Sequence, residues 1–429
     1  MKKVFASLLL LGTGSAATAQ QPAATVLAIP PLSSPDSGDK GNQMLAIGWN
    51  VTQAIEADLR QTAEVLPLKP NRDDYYPYPE VTGPNFTKWR QARAKSLVTG
   101  FVQGRSDGRV TVGCYVYDVD KGRELARKGF IIGANDWRRA AHKCSGLAYT
   151  AITGAPGIFD TRIAYVAETG VGEARTRRIA VMDSDGQDHR YLTSGDSMVL
   201  TPRLAPKGDS LAYVSFAGGG RPSVRVLNLD SGQERPLVPG DAISFAPRFS
   251  PDGSRILFSM MLGANSDIYV VPATGGAPRR LTTSPGIDTD PSFSPDGSKI
   301  VFESDRGGSQ QLYVMNADGT GQRRITFAGG WYAGPSWSPD GQWIAFTRRG
   351  QDGRRIGIVG ADGGGEKALT SGPGDEGPTW AASSREILFQ RSLGTGRTTL
   401  YRVALDGSDP RELATPQGGS DPDWSGVAE

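Results

Sequence analysis

Residues Asp290–Thr326 read DPSFSPDGSKIVFESDRGGSQQLYVMNADGTGQRRIT, and the chain repeats this unit. The anchor Pro-x-[Phe/Trp]-Ser-Pro-Asp-Gly starts at Pro247, Pro291 and Pro335, with looser copies at Pro202, Pro378 and Pro422. Successive anchors lie 45, 44, 44, 43 and 44 residues apart. In Ser-Pro-Asp-Gly, Pro fixes φ, Asp bonds nearby backbone and Gly tolerates positive φ, so the tetrapeptide is a tight turn. An apolar-x-aromatic triplet follows each anchor: Leu211–Tyr213, Ile256–Phe258, Ile300–Phe302, Ile344–Phe346 and Ile387–Phe389. Alternation of this period marks a strand with one face buried. A further strand follows, as at Ile268–Ala273 and Leu312–Ala317, and the unit ends on Arg324-Ile325-Thr326 or its like. Short strands recurring every 44 residues or so predict a β-propeller, because one such sheet must stack on neighbours to share a core.

The halves of the unit give the blade number. The second half occurs six times, first at Ile179–Thr193, with Ile163-Ala164-Tyr165 as a matching strand before it. No anchor precedes that copy; an anchor without a following unit stands at Pro422-Asp423-Trp424-Ser425. The C-terminal segment is therefore expected to supply the innermost strand of the first blade, closing six blades and covering two edges that would otherwise aggregate. The fold class is mainly β: a six-bladed propeller over residues 158–429, preceded by a smaller α/β domain over residues 20–157.

Met1-Lys2-Lys3, the apolar Val4–Leu11 and Ala17-Thr18-Ala19 read as a secretory signal over residues 1–19. Removing it takes Lys2 and Lys3 and no acid, leaving 45 Lys and Arg against 45 Asp and Glu of the original 47 and 45. A formally neutral chain argues against a nucleic-acid or anionic-membrane surface. After the signal come a strand at Val26–Ile29, a loop at Ser33–Asn42 and a helical stripe over Ile47–Leu59. A long loop at Pro70–Pro84 carries Tyr75, Tyr76 and Tyr78. A helix at Phe86–Ala94 leads to strands at Ser96–Val102, Val110–Asp118 and Leu125–Ile132, then a helix from Trp137 to about Thr150. Cys114 and Cys144 are a candidate disulfide in an oxidising compartment, or else a buried reduced pair.

No catalytic or cofactor motif is found, and two cysteines with the distant His142 and His189 make no metal site. Asp183-x-Asp185-Gly186 lacks the downstream Glu of a calcium loop and reads as a turn. Residues before each anchor Pro should ring one mouth of the central channel: Thr201, Ala246, Asp290, Gly334, Gly377 and Asp421. Asp288, Thr289, Trp331, Tyr332, Asp375 and Glu376 lie close by. Carboxylates, aromatics and small residues together suit a docking peptide or protein loop, although such acids also serve simply as solvated turn caps. The aromatics Phe249, Phe293, Trp337, Trp380 and Trp424 read as core between blades.

Signal, α/β domain and S-P-D-G propeller, in that order, resemble the TolB family of periplasmic Tol–Pal components. The similarity spans nearly the whole mature chain, with its specific parts at Thr161–Val166, Trp137–His142 and Leu312–Met315. The resemblance implies a periplasmic, non-enzymatic, monomeric adaptor that needs no cofactor or metal. It implies that the propeller mouth binds the lipoprotein Pal and that the mature N-terminus, here Gln20, Gln21 and Pro22, signals to the inner-membrane protein TolA. The role implied is support of outer-membrane integrity and of constriction at cell division. Thr289-Asp290-Pro291 matches the family's Thr-Glu-Pro, which makes Thr289 and Asp290 the first candidates for Pal contact. Where the family pattern has a histidine four positions before the second anchor, this chain has Ile243, and its N-terminal arm is shorter. The competing classes are a propeller hydrolase or peptidase-associated domain, and a wall-binding lectin using Trp331 and Tyr332 as platforms.

Overall fold

The computed structural model describes residues 24–62, 64–72, 77–157, 159–170, 174–217, 220–240, 242–372, 374–394, 396–408 and 410–425. The signal segment, Gln20–Pro22, Tyr75 and Tyr76 lie outside them. The chain divides into two compact units, residues 1–135 with 151–153, and residues 136–150 with 154–429.

In the first unit, β1 (Thr25–Ala28) and β2 (Val65–Pro67) join β3 (Ser96–Gly104), β4 (Arg109–Asp118) and β5 (Arg123–Gly133) in one sheet of order β2-β1-β3-β4-β5. Helices α1 (Gly38–Arg60) and α2 (Phe86–Gln91) accompany it. Helix α1 begins within the segment Ser33–Asn42, where Ser, Pro, Asp and Gly suggested a loop. The glycines serve close packing instead: a Cβ on Gly41 would meet the Asp36 carbonyl at 2.6 Å, and one on Gly48 the Leu32 carbonyl at 2.5 Å. Helix α3 (Trp137–Thr153) packs mostly with the second unit, where Arg138 reaches Asp185 at 2.5 Å and Lys143 reaches Asp160 at 2.9 Å.

The second unit is a ring of six four-stranded blades. The opening blade holds β6 (Arg162–Thr169), β7 (Thr176–Asp183) and β8 (Arg190–Tyr191). The next two are β9 (Val199–Leu204) with β10 (Ser210–Ser215), β11 (Ser223–Asn228) and β12 (Glu234–Pro236), then β13 (Ser244–Phe249) with β14 (Arg255–Leu262), β15 (Asn265–Pro272) and β16 (Arg279–Arg280). The fourth holds β17 (Asp288–Phe293), β18 (Lys299–Ser304), β19 (Gln311–Asn316) and β20 (Arg323–Arg324). The fifth holds β21 (Trp331–Trp337), β22 (Trp343–Gly350), β23 (Gly353–Gly360) and β24 (Lys367–Ala368). The sixth holds β25 (Asp375–Trp380), β26 (Glu386–Ser392), β27 (Thr398–Ala404) and β28 (Arg411–Leu413). Strand β29 (Gly418–Trp424) then pairs antiparallel with β6, Trp424 opposite Ile163, and completes the first blade as its inner strand. Trp424 Nε1 donates to Thr161 Oγ1 at 2.9 Å, locking that joint.

The core lies between blades. Leu257, Ile268 and Val270 of one blade pack on Phe293, Ile300, Phe302 and Met315 of the next, and the same pattern recurs around the ring. The anchor aromatics are part of it. Each Ser-Pro-Asp-Gly turn is held from within: Ser294 Oγ donates to Asp296 at 2.5 Å, and Asp296 accepts the Ser298 N–H at 3.0 Å. Its glycine takes positive φ, 70° at Gly297. Where Gly is missing, Ser384 adopts φ 59°.

Candidate functional site

Six inner strands line the channel, and each is bulged at the same place. The residue before every anchor Pro is left-handed: φ is 46° at Thr201, 50° at Ala246, 49° at Asp290, 59° at Gly334, 64° at Gly377 and 49° at Asp421. The pairing with the second strand shifts there in all six blades. Four of these residues are not glycine, and positive φ before proline is unfavourable on its own, so the surroundings must hold it. In four blades they do so through a side chain on the second strand of the preceding blade. Ser259 accepts the Asp290 N–H at 3.2 Å, Thr347 that of Gly377 at 3.1 Å, and Gln390 that of Asp421 at 2.5 Å; Glu303 accepts from Gly334. The bulge is thus a joint between blades and a ring of local strain at one level of the channel.

The alternation sorts the expected site residues into two sets. Asp288, Tyr332 and Asp375 stand three before their prolines and are fully buried within blades. Asp288 is paired with Arg306 at 2.7 Å, Asp375 takes Arg391 through two bonds of 2.6 and 2.9 Å, and Tyr332 donates to Glu366 at 2.6 Å. These side chains brace hairpins rather than face the channel. Thr289, Asp290, Glu376 and Asp421 are partly exposed, and Trp331 is 57% exposed. Burial raises the Asp421 carboxyl above its ordinary range, against the opposing Thr201 N–H and Arg203.

The structure gathers Thr289 and Asp290 around Glu303, which is 2% exposed. Thr289 Oγ1 donates to Glu303 at 3.3 Å, and Gln310 Nε2 donates to the same oxygen. Burial, and then the neighbouring Asp290 carboxylate, push the Glu303 carboxyl well above the usual range. Sequence reasoning passed over Glu303; its signal was a lone acid at the end of Ile300-Val301-Phe302. It also passed over Arg203, Arg248 and Asp423, which follow their prolines deeper in the channel. Asp423 accepts the Leu204 N–H at 2.8 Å and Arg248 at 3.3 Å, with Arg203 at 3.9 Å. Burial and Arg203 push Arg248 down to about 9, with Asp423 and Asp290 opposing.

His142 is buried, 3.3 Å from Asp183, and His189 lies between Tyr165 and Tyr191. Cys114 in β4 and Cys144 in α3 are fully buried, and neither is a free thiol.

Residues 149–428 match the family described as the TolB beta propeller domain, and residues 18–125 match the TolB amino-terminal domain. The chain belongs to the TolB family. It is 49% identical over 193 residues to the Tol-Pal system protein TolB of Zymomonas mobilis, covering 45% of this chain and 42% of that one. It is 48% identical over 191 residues to the protein of the same name from Rhizorhabdus wittichii, covering 44% of each. The matched stretches thus span less than half the length of these TolB relatives. The crystal structure of TolB from Acinetobacter baumannii superposes with a TM-score of 0.74 at 27% identity, covering 94% of this chain and 97% of that one.

Proposed function

We propose that the protein is a periplasmic, non-enzymatic adaptor of the Tol–Pal system whose propeller mouth binds the lipoprotein Pal. The observation that carries this reading is the Thr289–Asp290–Glu303 cluster: hydroxyl, carboxylate and buried acid held together at a strained bulge on the channel wall. A pre-set acceptor group of this kind loses little freedom on binding and can take backbone or lysine donors from a docking loop. Glu376 and Asp421 extend the acceptors around the rim, and the exposed Trp331 offers an apolar anchor. The arm Gln20–Pro22 is assigned to TolA, and the pair of partners to outer-membrane integrity and constriction. Export is supported by the leader at residues 1–19 and by two cysteines that are not free. Among the described residues no helix is long and apolar enough to cross a membrane.

Calorimetric titration of Pal into the mature chain and its Asp290→Lys variant tests the reading. The expected result is a loss of roughly tenfold or more in affinity with a melting temperature close to that of the parent. Equal affinity for both proteins removes Asp290 from the site.

A further inference from the structure

The strands β22 and β23 end in the hairpin Arg348-Arg349-Gly350-Gln351-Asp352-Gly353-Arg354-Arg355. Arg348 lies directly opposite Arg355, and Arg349 opposite Arg354, so two like-charged cross-strand pairs follow one another. Such pairs are destabilising unless counter-charges relieve them. Relief is uneven. Arg354 meets Glu376 at 2.7 Å, and Arg348 donates twice to the Gly329 carbonyl, at 3.0 and 2.8 Å, with Glu366 at 3.6 Å. Among the described residues Arg355 has only the largely exposed Asp352 at 3.4 Å, and its Nε is buried without an acceptor. Arg349 has no carboxylate partner among the described residues; its guanidinium lies 6.0 Å from the Trp331 ring centre.

These unrelieved charges border a cavity of about 750 Å³ lined by Gly329, Gly330, Trp331, Arg348, Arg349 and Arg355. Its rim is apolar. Trp331 is 57% exposed, and Phe327, in the segment leading to it, is 73% exposed. Both rings are backed by arginines, Phe327 by Arg324 at 5.1 Å.

We propose that this groove on the fifth blade docks an acidic segment of a partner protein that carries an apolar side chain. A carboxylate against Arg355, with Arg348 opposite it on the same hairpin face, supplies the missing counter-charge and the acceptor that Arg355 Nε lacks, and Arg349, on the other face beside Trp331, adds to the positive potential. The adjoining side chain covers Trp331 or Phe327. Asp352 and Glu366 line the same groove and repel a polyanion, which favours a peptide of mixed character over a nucleic acid. The groove shares Trp331 with the mouth, but its arginines sit on the second and third strands of the fifth blade rather than on the inner strand of the fourth, and it does not rest on the Pal reading.

The test is selection of a phage-displayed random dodecapeptide library on the mature chain, followed by fluorescence anisotropy with the synthetic consensus peptide. Enriched sequences are expected to join Asp or Glu to Leu, Phe or Trp. Arg349→Glu and Arg355→Glu are each expected to weaken the peptide by roughly tenfold, while Asp290→Lys leaves it unchanged. Arg349→Gln is expected to fall between, which separates a lost charge from a misfolded hairpin. The proposal is overturned if no acidic sequences emerge, or if binding ignores Arg349 and Arg355. It is also overturned if the consensus follows Asp290, or if phosphatidylglycerol vesicles bind the parent chain and not the Arg349→Glu variant, which makes the patch a membrane contact.

Discussion

The fourth and fifth blades are built from one repeat and carry different chemistry. Their frames coincide: Phe302 and Phe346 are buried at the same step, and Ser294–Asp296 and Ser338–Asp340 close the same turn. They part where the frame leaves a choice. Three before proline, the fourth blade has Asp288 and the fifth Tyr332; after the buried Phe, the fourth has Glu303 and the fifth Thr347. The fifth also extends its second and third strands into an arginine hairpin, where the fourth turns at Asp305–Gly308. Positions that define the blade are fixed by packing, and those beside them are free to carry chemistry.

The largest expected effect tests the shared frame. Phe302→Ala and Phe346→Ala should each cost about 3–5 kcal/mol, and by similar amounts. Denaturant titration measures both; a gap of more than about 2 kcal/mol would show that the blades are not equivalent supports. Next come the positions three before proline. Arg306→Ala leaves the Asp288 carboxylate buried without its counter-ion, at about 3 kcal/mol. Tyr332→Phe removes one hydroxyl bond to Glu366, at about 1 kcal/mol. Equal losses would break the distinction between a buried ion pair and a neutral brace.

The frame was legible in the sequence because its causes are local. Turn chemistry, period-two alternation and the stray anchor at Pro422 gave the blades, their number and their closure. The channel wall was harder. Asp288, Tyr332 and Asp375 read as rim residues, yet they sit one step out of phase with Thr289 and Glu376, and phase is set by a bulge that proline usually disfavours. Glu303 belongs to a strand whose pattern is apolar, so its role shows only when Asp290 of the inner strand lies beside it. The charges of Arg348–Arg355 are plain in the sequence, but the shortage of partners is not, because Glu366 comes from the loop before β24 and Glu376 from β25 of the next blade. In α1, Gly41 fell in the expected loop and proved to be a point of close approach.

The smallest effect concerns pH. A raised carboxyl keeps its proton in the folded state after the unfolded chain has lost it near about 4.3. The contribution of Glu303 to stability should therefore decline as pH rises from that value to its folded-state pKa, and be level on either side. Glu303→Gln should flatten this slope in melting temperature against pH, while Thr347→Val in the equivalent place leaves it. A parent whose slope survives Glu303→Gln would locate the sensitivity elsewhere.

The joint between β29 and β6 brings together Arg162 and Ser425, 263 residues apart. A contact so distant along the polypeptide costs closure entropy before it returns any packing, and it slows the search for the finished state. Until that late arrival docks, the opening sheet offers bare amide and carbonyl groups to any passing strand. A nascent molecule thus stays vulnerable longest at its oldest blade, and anything that hastens the tail's arrival protects the whole.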